Sequence, residues 1–168
     1  MLMTADDYRE SLRRYNPRVF VNGLQVTSVV DEPLLAPGIN GVGVTYDFAH
    51  QEKYRDWLTA IQSTSGQLVN RMLHINESSD DLLKKLEAVR AVCAESGCAQ
   101  RYLSHDALNG LYQSTQQTDA NHGTDYHDRF LEYLHRVQDE DLTLGVAMTD
   151  AKGDRSKRPG LQSNPDVY

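Results

Sequence analysis

HGTDYHDRFLEYLHRVQDEDLTLGVAMTDAKGDRSKRP, residues His122 to Pro159, is the stretch that decides the class of fold. Thr124 reads as an N-cap and Asp125 as a first-turn acid. Behind them Tyr126, Phe130, Tyr133, Leu134 and Val137 recur at i, i+4, i+7, i+8 and i+11, which is one face of an α-helix. Then the period changes. Leu142 to Met148, LTLGVAM, is short, apolar and partly β-branched, and reads as a strand leaving a helical body. It runs into Ala147 to Pro159, which carries two Asp, two Lys, two Arg and a Gly without hydrophobic periodicity. A charged loop after a rigid element is a place to hold a phosphorylated ligand. Composition alone favours the plainer reading of a solvated linker.

Working upstream, Ala99 to Gln116 is helical in pattern, with Leu103, Ala107, Leu108 and Leu111 as its apolar positions. Ser78-Ser79-Asp80-Asp81 opens another helix. Ser79 can cap it, and Leu82, Leu83, Leu86, Val89 and Val92 are spaced for burial until Gly97 interrupts. Ser63 to Gly66 reads as a turn and Met72 to Asn76 as a short apolar piece. Helices are expected over Val42–Gln51 and Tyr54–Ile61, after a loop from Asp31 to Gly43 that is rich in Pro and Gly. RVFVNGLQVTSV, residues 18–29, is a hairpin around Asn22-Gly23, because both turn positions require positive φ. The first helix is capped by Thr4, has Asp6 and Asp7 in its first turn, and stops at Asn16-Pro17. Leu2, Tyr8, Leu12 and Tyr15 can share its face. The expected class is therefore mainly α: a helical domain over 1–141, then 142–168 as a strand and loop opening β structure, to which Asp166-Val167-Tyr168 also points.

The totals narrow the function classes. A net charge of −7 excludes nucleic acid as the main partner, since phosphate contacts need a basic footprint. No run of eighteen apolar residues spans a membrane. The start, MLMTADDYRESLRR, lacks the apolar region of a signal peptide. Two cysteines are too few for a secreted disulfide scaffold, so a cytoplasmic location is the expectation. At 39% hydrophobic residues the chain can build a core, with some surface completed by a partner.

Chemistry-bearing residues gather in CAQRYLSHD, Cys98 to Asp106. Arg101 and His105 stand i, i+4 and Tyr102 and His105 i, i+3, so one helical face could orient an oxyanion and move a proton, or could be an ordinary polar surface. Cys93 and Cys98 lack the second pair a zinc site needs and read as buried thiols. His122 and His127, five apart, do not share a helical face, and capping and surface roles suit them better than metal.

The start MLMTADDYRESLRRYNPRVFVNG, the blocks SSDDLLKKLEAVRA, CAQRY and DALNGL, and the HGTxYH, EYL, QxxDL and MTDxKGDR motifs together resemble the N-terminal part of the 4-hydroxyphenylacetate 3-hydroxylase and 4-hydroxybutyryl-CoA dehydratase family. These are flavin enzymes with an acyl-CoA dehydrogenase-like fold, and the likeness leans to the dehydratase branch. It implies FAD, with Met148, Thr149, Lys152, Gly153, Asp154 and Arg155 on the flavin-contacting loop. It implies Arg101 beside the substrate, and Tyr102 or His105 in proton transfer, His105 falling close to a tyrosine of the hydroxylases. In the dehydratase branch a 4Fe-4S cluster is held by three cysteines and a histidine. Cys98 matches the first cysteine but Tyr102 stands at the second, which speaks against the cluster. Val146 replaces the hydroxylases' histidine beside the loop. Family members are much longer, with a β domain and a C-terminal helical bundle that complete the flavin site. The resemblance thus implies an oxygenase- or oxidase-like activity on a small aromatic or CoA-bound substrate. The other domains would come from a second polypeptide or a homo-oligomer, and a flavin reductase could supply electrons. A non-catalytic scaffold subunit is the alternative, and an iron–sulfur dehydratase the further one.

Overall fold

Thr4 starts the first helix, and the side chains that follow it decide where the chain bends. The computed structural model describes residues 1–98, 101–147 and 153–165. α1 (Ala5–Tyr15) begins with a capping box in which Thr4 and Asp7 bond each other's backbone N–H groups. Asn16 closes it in the left-handed region, with φ 42°. Tyr8 is buried, whereas Tyr15 points to solvent. β1 (Phe20–Val21) pairs with β2 (Leu24–Gln25), Phe20 opposite Gln25, across Asn22-Gly23. Both turn residues have positive φ, as the sequence required.

α2 (Ala36–His50) starts well before the expected Val42 and absorbs three glycines that read as loop. Pro37 sits in its first turn, where a missing N–H costs nothing. Gly43 explains part of that glycine content. A Cβ there would lie 3.1 Å from the Ala5 Cβ, so its absence lets α1 close on α2. α3 (Glu52–Leu58) is shorter than expected. Its continuation is β3 (Thr59–Ile61), which pairs antiparallel with β4 (Leu68–Asn70) across the Ser63–Gly66 turn. A 3-10 turn, Arg71–Leu73, then leads to α4 (Ser79–Ser96).

Ser78, not Ser79, caps α4, and Asp81 completes its capping box. Only Ala88 and Val92 of this helix are buried. They pack with Phe48, Ala49, Leu58 and Met72, so α4 docks through its C-terminal half and leaves Leu82, Leu83 and Leu86 exposed. The same orientation exposes Cys93, and Cys98 beyond the Gly97 cap is exposed too, contrary to the expectation of buried thiols. α5 (Tyr102–His122) and α6 (Tyr126–Asp139) form a hairpin of helices over Leu73, Ile75, Leu108, Phe130, Leu134 and Val137. Of the apolar α5 positions expected inside, Leu108 is buried, whereas Leu103 and Leu111 are exposed.

The start of α6 departs from its expected cap. Thr124 does not cap α6; its hydroxyl donates to Asp119, and the Asp119 carboxylate accepts the N–H groups of Tyr126 and His127. The last turns of α5 thus cap the next helix, with negative charge at its positive end. Leu142 to Ala147, expected to be the body of a strand, carry no regular element. Residues 153–165 hold a 3-10 turn, Pro159–Leu161. Among the described residues no helix is long and apolar enough to cross a membrane. The architecture is mainly helical with two small antiparallel hairpins, and the terminal Asp166-Val167-Tyr168 lies outside the described residues.

Candidate functional site

The site region is built on the N-terminal turns of α5, because three of the residues singled out by sequence stand there. Arg101 is 1% exposed and His105 fully buried, while Tyr102 is half-buried. One Arg101 terminal nitrogen donates to Asp141 Oδ1 at 2.9 Å and to the Leu142 carbonyl at 3.1 Å. The other reaches Thr45 Oγ1 at 3.4 Å. The guanidinium carbon lies 4.1 Å from the centre of the Tyr46 ring, a cation–π stack. Arg101 Nε is buried without a hydrogen-bond partner. Burial pushes the Tyr46 phenol up to about 12, so it stays a neutral donor.

His105 faces the other way. Its Nδ1 is 2.9 Å from the Arg71 carbonyl, which can only accept, so Nδ1 carries the proton. Nε2 is then an acceptor and takes the Asn76 amide at 2.9 Å. Burial first, and the nearby Lys85 charge after it, push the imidazole down to about 4. With both nitrogens engaged and the ring neutral, His105 joins α5 to the 3-10 turn. Tyr102 packs against the first apolar cluster, and Lys85 Nζ lies 5.9 Å from its ring centre.

A second polar knot lies beside the first. Arg71 is 3% exposed, donates to the carbonyls of Trp57 and Thr59, and meets Asp81 at 3.0 Å. Partial burial opposes ionisation of Asp81, but N–H donation from Glu77, the Ser78 hydroxyl and Arg71 together bring it down to about 2. His74, 3.4 Å from Asp81, is buried, and that burial pushes its imidazole below the ordinary value.

Of the flavin-loop residues expected from the resemblance, Met148, Thr149 and Lys152 lie outside the described residues. Gly153 is half-buried, and Asp154 and Arg155 are exposed. Asp154 accepts from the Ser156 hydroxyl at 2.6 Å and its N–H at 3.0 Å, which holds the carboxyl below its ordinary value. Gln162 brackets the same residue, accepting its N–H and donating to its carbonyl. The loop is therefore shaped by its own polar groups and offers an exposed guanidinium at Arg155. An exposed guanidinium can pair with an anionic group of a ligand.

For an iron–sulfur cluster the described residues offer the exposed Cys98 thiol and no group of three His, Cys, Asp or Glu placed to hold a metal. Further ligands would have to come from elsewhere. His127 shares a hydrogen bond with Thr115 and stacks edge-on to Tyr112, and His135 meets Thr64, so both have packing roles.

Sequence reading missed Asp141, the hub of this region. It is fully buried with φ 46°, accepts from Arg101 and from the Met3 N–H at 3.0 Å, and offers its carbonyl to Tyr46 at 2.9 Å. As the last acid of an Asp-Glu-Asp run it gave no local signal of burial. Its partners are 40 residues or more away in sequence.

The family model for the 4-hydroxyphenylacetate 3-hydroxylase N-terminal region matches residues 4–168. The 4-hydroxybutyryl-CoA dehydratase/vinylacetyl-CoA-Δ-isomerase of Clostridium aminobutyricum is 40% identical over all of this chain and 34% of its own length. An oxygen-tolerant archaeal 4-hydroxybutyryl-CoA dehydratase from N. maritimus superposes with a TM-score of 0.88 at 44% identity, over 100% of this chain and 33% of that one. The oxygenase component of a 4-hydroxyphenylacetate 3-monooxygenase, solved with FAD and 4-hydroxyphenylacetate, superposes with a TM-score of 0.71 at 20% identity, over 97% of this chain and 33% of that one, and shares the fold. The chain spans about a third of the length of the curated relatives it matches.

Proposed function

The chain belongs to the 4-hydroxyphenylacetate 3-hydroxylase N-terminal family, and on that premise we propose that it forms the helical first part of a flavin-dependent enzyme acting on a CoA-bound acid. The observation that carries the reading is the 40% identity to a 4-hydroxybutyryl-CoA dehydratase along the whole chain, the loop included. The monooxygenase oxygenase component from Thermus thermophilus is 22% identical, so the CoA-directed branch is favoured over the aromatic one. This shifts weight from the oxygenase-like expectation, and it withdraws support from the expectation against a 4Fe-4S cluster.

In this reading FAD supplies the redox chemistry when bound. By the family resemblance Arg155 and Lys152 would meet its negative charge, and Met148, Thr149, Gly153 and Asp154 would contribute to the wall around it. Tyr102 is the group proposed to move a proton, since both His105 nitrogens are held inside the fold. Cys98 is the one thiol this chain would lend a cluster, and no step is assigned to that cluster. Partner regions, from the same or another polypeptide, supply the remaining walls.

A hydroxylase- or oxidase-like enzyme is the second reading, favoured by Tyr102 at the position of the family's second cysteine. The test is to purify the full-length protein without oxygen, record its visible spectrum and assay iron and sulfide. Flavin with iron and sulfide supports the dehydratase branch, and flavin alone the second reading. Protein that retains no flavin and takes up none refutes both and leaves the scaffold alternative.

A further inference from the structure

Three side chains of the helical body hold the backbone just before the charged loop. Tyr46 OH donates to the Asp141 carbonyl at 2.9 Å and touches Thr143 Oγ1 at 2.8 Å. Arg101 donates to the Leu142 carbonyl at 3.1 Å, and Ser104 Oγ to the Leu144 carbonyl at 2.8 Å. Among the described residues, 142–147 have no strand partner, so their carbonyls depend on such donors. Asp141 sets the bend itself. Its backbone is left-handed, a region where Asp is better tolerated than most residues, and its carboxylate is tied to Arg101 on one side and to the Met3 N–H on the other. α6 thus ends in a turn that is bolted at once to α2, to the start of α5 and to the segment leading into α1.

We propose that Asp141 and Arg101, with Tyr46 and Ser104, are positioning residues that fix the path of 142–147 and so the direction in which the chain leaves the helical body toward its cofactor. Arg101 then acts through the backbone it holds, and its charge is matched by Asp141 instead of by a ligand. The inference rests on the flavin reading for its consequence, but the clamp itself is testable without any cofactor.

The experiment uses the full-length protein and its variants Asp141→Asn, Arg101→Lys and Ser104→Ala, with Val92→Ala as a control. Asp141→Asn keeps the size and left-handed tolerance but removes the charge. Ser104→Ala removes a single hydrogen bond and is the variant least able to disturb folding. Amide hydrogen exchange at Leu142, whose N–H donates to the Val137 carbonyl at 3.0 Å, is read alongside FAD affinity from flavin fluorescence. Ser104→Ala is expected to speed exchange there about five-fold, the equivalent of one net hydrogen bond, and to weaken FAD by a similar factor. Asp141→Asn and Arg101→Lys should do more. Val92→Ala lies in the separate core of Phe48, Leu58 and Met72, against which Leu142 and Leu144 do not pack, and should leave the segment's exchange relative to the core unchanged. Unaltered exchange in Ser104→Ala and Asp141→Asn, or equal acceleration in Val92→Ala, overturns the clamp. Faster exchange with unchanged FAD affinity overturns the positioning role. A wild-type protein that binds no flavin refutes the proposed function, while the exchange result still decides the clamp.

Discussion

Acid should weaken this fold well above the pH at which its carboxylates titrate, and His105 is the reason. The imidazole is fully buried, and its pKa lies near 4 against an ordinary value of 6.5. The unfolded chain therefore binds the proton more tightly than the folded one. The neutral ring contributes stability that is complete above pH 6.5 and is lost as pH falls toward 4. Two ionisation curves with those pKa values give a loss of about 2.4 kcal/mol between about pH 7 and about pH 4.5, or roughly sixty-fold in the folding equilibrium. The structural cause is specific. A proton on Nε2 would confront the Asn76 amide donor, while Nδ1 is committed to the Arg71 carbonyl. Burial of His74 adds to the loss in the same direction. Urea unfolding followed by circular dichroism at the two pH values measures the total, and His105→Asn isolates the share of one residue. The variant keeps a donor near the Arg71 carbonyl but does not titrate, so its pH dependence should shrink by about 2 kcal/mol. A variant with an acid limb as steep as that of the wild type would refute the argument. So would a His105 pKa above about 6 by nuclear magnetic resonance.

The remaining predictions concern capping and packing. Ser78→Ala should cost about 1 kcal/mol in urea unfolding, and Ser79→Ala should change little, because Ser78 closes the box with Asp81. Leu108→Ala should cost about 2–5 kcal/mol, whereas Leu103→Ala and Leu111→Ala on the exposed side of α5 should stay within about 0.5 kcal/mol. Asp141→Leu should cost about 3–5 kcal/mol by stranding the Arg101 charge, and adding Arg101→Leu should cost less than the two single losses together, read as a double-mutant cycle. Asp119→Ala should lower the melting temperature, since it releases two N–H groups at the start of α6.

Local chemistry carried most of the helical framework. The Thr4 cap, the Asn22-Gly23 turn, the Ser63–Gly66 turn and the α6 stripe, buried at Phe130, Leu134 and Val137 though exposed at Tyr126 and Tyr133, were visible because each depends on neighbours within a turn or two. α2 was cut short because glycine is a weak helix former, and its use at Gly43 is justified only by Ala5, nearly forty residues earlier and on another helix. β3 was read as the end of a helix because its identity depends on pairing with β4, a non-local fact. The expectation for the loop at 147–155 rests on the family motifs, and Met148 to Lys152 lie outside the described residues. The local pattern of Leu142 to Ala147 could not show that this segment has donors instead of a strand partner.

The same distinction governs the site. Arg101, Tyr102 and His105 stood out as a mixed polar cluster, and such clusters are read as chemistry because buried polar groups are costly. That cost is met here in two different ways. His105 satisfies both nitrogens within the fold, and Arg101 gives its terminal nitrogens to Asp141, the Leu142 carbonyl and Thr45. A buried ion pair of this kind adds little as stability alone, since apolar residues of similar volume often serve a core as well or better. What it supplies that leucines cannot is direction: the Arg101 fork joins Asp141 to one particular carbonyl and so selects one exit path from α6. The double variant Arg101→Leu with Asp141→Leu tests that reasoning. It should recover much of the stability lost by Asp141→Leu alone while leaving exchange at Leu142 fast. A double variant that restores slow exchange would show that packing alone sets the path of the segment.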